Sequence, residues 1–223
     1  MKAMPPPEQT QAADVLSRIR AFGIVPVIVI DDAEDAVPLA RALTDGGLPC
    51  AEVTFRTAAA AAAIRRIADA FPEMLLGAGT VLTPQQVQEA SAAGARFIVA
   101  PGFNARVVDA CLELGLPVYP GVCTPTEIEM GLERGLEVLK FFPAEPMGGL
   151  SYLKAIAAPY GNVQFIPTGG INLSNFAEYL SFGRVAACGG SWMASAAAIR
   201  EKQFGRIREE TANAVAAVRD CRS

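Results

Sequence analysis

Four lysines occur in the 223 residues, and one of them stands where a solvated charge does not belong. Lys2 lies near the amino terminus and Lys154 and Lys202 fall in stretches of helical pattern, whereas Lys140 interrupts the apolar run VLKFFPA. Side chains alternate across a strand, so Val138, Lys140 and Phe142 share one face while Leu139 and Phe141 share the other. An amine held among apolar groups loses solvation, which favours its neutral form, and a neutral amine is a nucleophile. Its characteristic chemistry is attack on a carbonyl to form a Schiff base, whose positive nitrogen stabilises the carbanion left by C–C cleavage. The structural alternative is a lysine that snorkels to the rim and pairs with an acid.

A second constellation lies in CAEVTFR, where Glu52, Thr54 and Arg56 occupy alternate positions and project from one face. Three polar groups on one face of a buried strand are costly unless used or paired. Glu52 suits the proton transfers that carbinolamine formation, dehydration and hydroxyl deprotonation require, and the fork of Arg56 suits a substrate carboxylate. A purely structural Glu52–Arg56 ion pair is the alternative. Thr80, at the end of the next strand-forming run, is a candidate donor to the same carboxylate, or a threonine bonded to backbone. Two later runs end in Thr168-Gly169-Gly170-Ile171-Asn172 and Gly189-Gly190-Ser191. Glycines there let backbone N–H groups approach a ligand closely, as phosphate loops do, although a Gly pair also serves an unusual turn.

Composition narrows the chemistry further. The chain has no His, which removes Ser-His-Asp and Cys-His catalysis and most catalytic zinc sites. Five cysteines (Cys50, Cys111, Cys123, Cys188, Cys221) are scattered without a C-x-x-C, so reduced, buried thiols in a cytoplasmic protein are expected, with no metal and no cofactor. A net charge of −4 disfavours nucleic acid and acidic membrane surfaces as partners. No apolar run reaches the length of a membrane span, and MKAMPPPEQT lacks the apolar core of a secretory signal.

The elements that must position these groups are legible as a rhythm. Strand-forming runs begin at 24 (IVPVIVI), 50 (CAEVTFR), 75 (LLGAGTV), 97 (FIVAPGF), 117 (PVYPGVC), 138 (VLKFFPA), 164 (QFIPTGG) and 186 (AACGGSW), each followed by a helical stretch. Starts 20 to 26 residues apart fit strand, loop, helix and loop, and strands so joined are parallel. Thr83-Pro84-Gln85-Gln86 and Thr124-Pro125-Thr126-Glu127 are helix-start signals. The Ala-rich TAAAAAAIRRIADAF (57–71) reads as an ordinary helix with Ile64, Ile67 and Phe71 on one side. The expected architecture is a single (β/α)8 TIM barrel over 1–223, with a disordered tail at 1–7 and an extra N-terminal helix at 8–22. A doubly wound open sheet is the runner-up, but Gly77-Ala78-Gly79 opens no helix and reads as a tight barrel turn rather than a dinucleotide motif.

On GLPCAEVTFR (47–56) and GLEVLKFFPAEPMG (135–148), the chain resembles the 2-keto-3-deoxy-6-phosphogluconate aldolase and 4-hydroxy-2-oxoglutarate aldolase family. PGVCTPTE (120–127), FIPTGGIN (165–172) and GGSW (189–192) extend the resemblance from about Gly23 to Trp192. The resemblance implies a class I lyase without a metal, with Lys140 forming the Schiff base and Glu52 acting as general acid and base, partly through water. It further implies Arg56 with Thr80 on the pyruvate carboxylate and Pro101 and Phe142 shaping the pyruvate pocket. Phosphate would rest on Gly169, Gly170 and Ser191, in a homotrimer. Phosphogluconate-derived, phosphogalactonate-derived and hydroxyoxoglutarate-type keto acids all stay open as substrates. A sugar-phosphate isomerase or epimerase and a silent sugar-phosphate binding protein are the other classes, and an inward Lys140 speaks against both.

Overall fold

Helix starts are written locally in this chain. Thr83 Oγ1 accepts from the N–H of Gln86, while Gln86 Oε1 accepts from the N–H of Leu82 at 2.8 Å, a reciprocal cap ahead of Pro84. Glu127 Oε2 likewise accepts from the backbone N–H groups of Cys123 (2.7 Å) and Thr124 (3.0 Å) ahead of Pro125. The Ala-rich stretch is a helix as expected, burying Ala60, Ala63, Ile64 and Ile67.

The computed structural model describes residues 7–222. The elements run α1 (Pro7–Phe22), β1 (Ile24–Ile28), α2 (Ala36–Asp45), β2 (Cys50–Thr54), α3 (Ala60–Ala70), β3 (Leu75–Gly79) and α4 (Pro84–Ala93). There follow β4 (Phe97–Val99), α5 (Ala105–Glu113), β5 (Val118–Tyr119), β6 (Gly121–Val122), α6 (Pro125–Leu132), β7 (Val138–Phe141) and α7 (Gly149–Ala157). The chain closes with β8 (Gln164–Pro167), α8 (Phe176–Leu180), β9 (Cys188–Gly190), α9 (Ala196–Arg200) and α10 (Phe204–Arg222). Residues 1–6 of the expected tail lie outside the described residues, and Pro7 already belongs to α1 rather than to a tail. Lys202, expected in a helix, instead occupies the bend between α9 and α10 with φ 54°.

This is an α/β fold built on parallel strands. Six of them hydrogen-bond in the order β5-β4-β3-β2-β1-β9, and β6-β7-β8 form a three-stranded sheet. The break between the sheets has a chemical cause. The fifth expected strand is interrupted at Pro120, which has no N–H to give to a ladder, so Val118–Tyr119 pairs with β4 while Gly121–Val122 pairs with β7. On the other side, the β8 and β9 segments meet through isolated parallel bridges, Phe165 with Val185 and Thr168 with Gly189. Every residue of β1, β2 and β3 is buried, as befits strands covered on both faces. Successive helices α2, α3, α4 and α5 pack side by side, and α10 lies against α2. Val15 and Ile19 of α1 are fully buried. No helix among the described residues is long and apolar enough to cross a membrane.

Gly77 and Gly79 correct the expectation of a tight turn, because both belong to β3. A Cβ built on Gly77 would lie 2.2 Å from the Phe97 ring, and one on Gly79 would lie 2.1 Å from Glu52 Oε1. Their role is close approach across the sheet rather than chain reversal.

Candidate active site

Lys140 is the third residue of β7, held between Gly121 of β6 and Ile166 of β8, with its N–H donating to the carbonyl of Pro120 at 3.0 Å. Glu52 is the third residue of β2, opposite Val27 of β1 and Gly77 of β3. The two side chains come from different sheets and meet in the interior, where Lys140 Nζ lies 3.5 Å from Glu52 Oε1. Lys140 is 6% and Glu52 3% exposed, so bulk water solvates neither group and each relies on the other. Removing one partner of such a pair strands the other without compensation, at a cost of about 3–5 kcal/mol. The absence of a side chain on Gly79 leaves the Glu52 carboxylate its room.

The amine has an aromatic neighbour as well. The Phe142 ring centroid lies 5.1 Å from Lys140 Nζ, within cation–π range of a protonated amine. A small cavity lined by Ile19, Phe97, Tyr119, Ile166 and Thr168 lies against Lys140 and Glu52. Cys50, two residues before Glu52, is pushed up to about 12 by burial, so its thiol stays protonated and does not compete as a nucleophile.

Beyond Phe142 opens a cleft of about 390 Å3, into which Arg56, Phe142, Gly169, Gly170 and Ser191 all face. Five of the nine residues singled out in the sequence thus share one wall system. Thr80 joins them through Arg56, whose Nε donates to Thr80 Oγ1 at 3.2 Å. Pro101 does not line this cleft; its carbonyl is packed over Gly121, where a Cβ would lie 2.1 Å from the oxygen. The structural alternative of a Glu52–Arg56 ion pair is not what the chain adopts, because Glu52 pairs with Lys140. Thr54 is fully buried, and its hydroxyl donates to the carbonyl of Ile28 at 2.7 Å, tying β2 to β1.

Sequence reasoning did not single out Thr168, which lines both the cleft and the cavity at Lys140. Its signal was available: it is the last residue before the Gly169-Gly170 pair, at the end of the seventh strand-forming run. A Cβ on Gly189 would lie 2.3 Å from Thr168 Oγ1, so the glycine of β9 makes space for the threonine that follows β8.

Gly169 and Gly170 have φ values of 99° and 81°, a left-handed pair that residues with side chains adopt only under strain. The Gly170 carbonyl accepts from Asn175 Nδ2 at 3.1 Å and Asn172 Nδ2 at 3.3 Å. Among the described residues, no protein acceptor takes the N–H of Gly169, Gly170 or Ile171. Successive unpaired N–H groups at the rim of a cleft suit an anion.

A parallel α/β scaffold that presents one desolvated lysine beside one carboxylate, under a ligand-sized cleft, fits one class in particular, the aldolases that work through a lysine. The sequence pattern of the KDPG and KHG aldolases matches residues 15–210, and the chain belongs to that family. The 2-dehydro-3-deoxy-phosphogluconate aldolase of Treponema pallidum is 54% identical over 194 residues, spanning 87% of this chain and 91% of the relative. A crystal structure of the KDPG aldolase of Legionella pneumophila, with pyruvate captured at low pH as a covalent carbinolamine intermediate, superposes with a TM-score of 0.86 at 42% identity. That alignment covers 90% of this chain and 97% of the other. The 2-keto-3-deoxy-6-phosphogluconate aldolase of Zymomonas mobilis, solved with 3-phosphoglycerate, is similar at TM-score 0.86 and 38% identity, covering 92% and 96% of the two chains.

Proposed function

We propose that this protein is a class I aldolase cleaving 2-keto-3-deoxy-6-phosphogluconate to pyruvate and glyceraldehyde 3-phosphate, and joining them in reverse. The observation that carries the reading is the buried 3.5 Å pair of Lys140 Nζ and Glu52 Oε1 beside an anion-suited cleft. The Lys140 ammonium passes a proton to Glu52, the freed amine attacks the C2 ketone, and Glu52 returns that proton as the carbinolamine oxygen leaves as water. Glu52, then a carboxylate again, takes the C4 hydroxyl proton, partly through water. The C3–C4 bond breaks towards the iminium, and the aldehyde departs. The enamine is protonated at C3 and the resulting iminium is hydrolysed, releasing pyruvate and the free amine. The iminium supplies the electron withdrawal that class II aldolases assign to an ion, so no metal enters any step.

In this reading Arg56, steadied by Thr80, holds the pyruvate carboxylate; Pro101 and Phe142 bound the pyruvate pocket; and Gly169, Gly170 and Ser191 receive the phosphate. The Arg56–Thr80 hydrogen bond and the unpaired N–H groups at 169–171 support those assignments. The proposal extends to a single domain over 1–223 whose eight strand-helix units close as a (β/α)8 barrel, to an N-terminal helix added to it, and to a cytoplasmic homotrimer. The parallel bridges joining the β8 and β9 segments support closure. The aldolase of 4-hydroxy-2-oxoglutarate is the second reading, because the family's name covers both activities.

Borohydride reduction in the presence of pyruvate tests the central step. A pyruvyl mass on the peptide carrying Lys140, with loss of activity, is the expected result; an unmodified Lys140 under conditions that permit turnover overturns it.

A further inference from the structure

The loop that follows Lys140 is locked to the Gly169-Gly170 loop around one residue, Glu145, by main-chain bonds and by its side chain. The lock has three parts. The Glu145 N–H donates to the carbonyl of Gly169 at 3.0 Å, beside a 2.8 Å bond from the Ala144 N–H to the carbonyl of Thr168. The Glu145 stem lies directly on Gly170, where a Cβ would be 2.5 Å from Glu145 Cβ and 2.6 Å from its Cγ. The Glu145 carboxylate, in turn, accepts a hydrogen bond from Tyr179 Oη, and Tyr179 is 2% exposed in α8, the helix that follows the glycine loop. Glu145 itself is exposed, so apolar burial does not explain why its side chain is held.

We infer that Glu145, oriented by Tyr179, is a positioning residue that fixes the Gly169-Gly170 loop relative to Lys140 and thereby sets the preference for phosphorylated over unphosphorylated keto acids. The inference rests on the proposed phosphate role of that loop and deepens it. Glu145 stands five residues after Lys140, so the carbonyl-attacking end and the anion-binding end of the substrate are referred to one short segment of chain. Asn172 and Asn175 restrain the same loop from its other side by holding the Gly170 carbonyl. Losing the Tyr179 bond frees the Glu145 stem to rotate, and with it the floor on which Gly170 rests. A ligand spanning both ends then loses pre-organisation, whereas one that engages only the Lys140 end does not.

The test compares kcat and KM for 2-keto-3-deoxy-6-phosphogluconate and 4-hydroxy-2-oxoglutarate in the full-length protein and in Tyr179→Phe, Glu145→Ala and Glu145→Gln. Tyr179→Phe and Glu145→Ala are expected to raise KM for the phosphorylated substrate about tenfold with kcat nearly unchanged, and to leave the unphosphorylated substrate within about twofold. Glu145→Gln keeps an acceptor oxygen for Tyr179 and is expected to retain the wild-type ratio. Equal losses on both substrates, or an unchanged ratio in Tyr179→Phe, overturn the inference. Tyr179→Phe removes one hydroxyl only, so it decides the matter even if Glu145→Ala fails to fold. Should the wild type show neither a preference for the phosphorylated substrate nor competitive inhibition by inorganic phosphate, the loop's phosphate role fails first, and this inference falls with it.

Discussion

Lys140 Nζ and Glu52 Oε1 stand 3.5 Å apart although their strands, β7 and β2, belong to different sheets. Each group therefore depends on the other for its solvation and for a proton partner. Glu52→Gln keeps the volume and removes the exchangeable charge. The variant is expected to bind pyruvate while kcat falls by about 10²–10⁴-fold, the usual worth of a positioned acid or base. Steady-state kinetics with pyruvate-dependent borohydride inactivation alongside would measure both; wild-type turnover would remove Glu52 from the mechanism.

Lys140→Ala is expected to lose several orders of magnitude in kcat and also to be destabilised, because a carboxylate 3% exposed is left without its cation. Lys140→Ala with Glu52→Gln should recover part of that stability without recovering activity. Urea unfolding of the two single variants and the double variant checks this, and simple additivity of the stability changes would contradict the pairing.

The two glycines of β3 separate packing from chemistry. Ala at 77 would drive a methyl to 2.2 Å from the Phe97 ring, so Gly77→Ala is expected to cost about 1–3 kcal/mol of stability by overpacking. Ala at 79 would place a methyl 2.1 Å from Glu52 Oε1, so Gly79→Ala is expected to displace the carboxylate and lower kcat by about 10²-fold. Similar kcat losses in both variants would show that the proximity of Gly79 to Glu52 carries no special weight.

How much of this was readable beforehand follows from what each signal depends on. Lys140 and Glu52 announced themselves because a charge inside an apolar strand is costly, a fact local to VLKFFPA and CAEVTFR. The strand positions followed from the same alternation, and the helix starts from the caps at Thr83 and Thr124. The division at Pro120 was less visible, since PVYPGVC carries enough β-forming residues to read as continuous. The structural meaning of Gly77 and Gly79 was misread as a turn, because the ring and the carboxylate that need the space come from β4 and β2, distant in sequence. Glu145 and Thr168 were not singled out for a related reason: an acid between two prolines has no pattern of its own, a Thr before a Gly pair becomes a signal only once the facing element is known, and the partners of both lie elsewhere in the chain.

Thr80 has φ 54°, a region that a β-branched residue enters at a cost of about 1–3 kcal/mol. Its hydroxyl is the acceptor for Arg56 Nε at 3.2 Å. Thr80→Gly is expected to relieve the strain, leaving stability unchanged or improved by about 1 kcal/mol, while KM for the keto acid rises by about tenfold. Thermal unfolding and kinetics on the same preparation test the trade; a fall in stability with unaltered KM would assign Thr80 a structural role only.

The thiols give a prediction away from the site. Burial pushes Cys50, Cys111 and Cys188 up to about 12 from an ordinary value of 9.0, whereas Cys221 is exposed. The thiolate is the reactive form, so iodoacetamide at pH 8 is expected to label Cys221 first and the three buried thiols only after unfolding. Stability should follow the same shift. In the unfolded chain these thiols lose their protons near pH 9, but in the folded chain only near 12, so deprotonation favours unfolding as pH rises between those values. The stabilisation is complete below pH 9 and declines above it. Cys111→Ala removes one such group from α5, away from Lys140, and is expected to flatten the fall of the unfolding midpoint between pH 8.5 and 10.5. An identical slope in wild type and variant would mean that the Cys111 thiol ionises alike in both states.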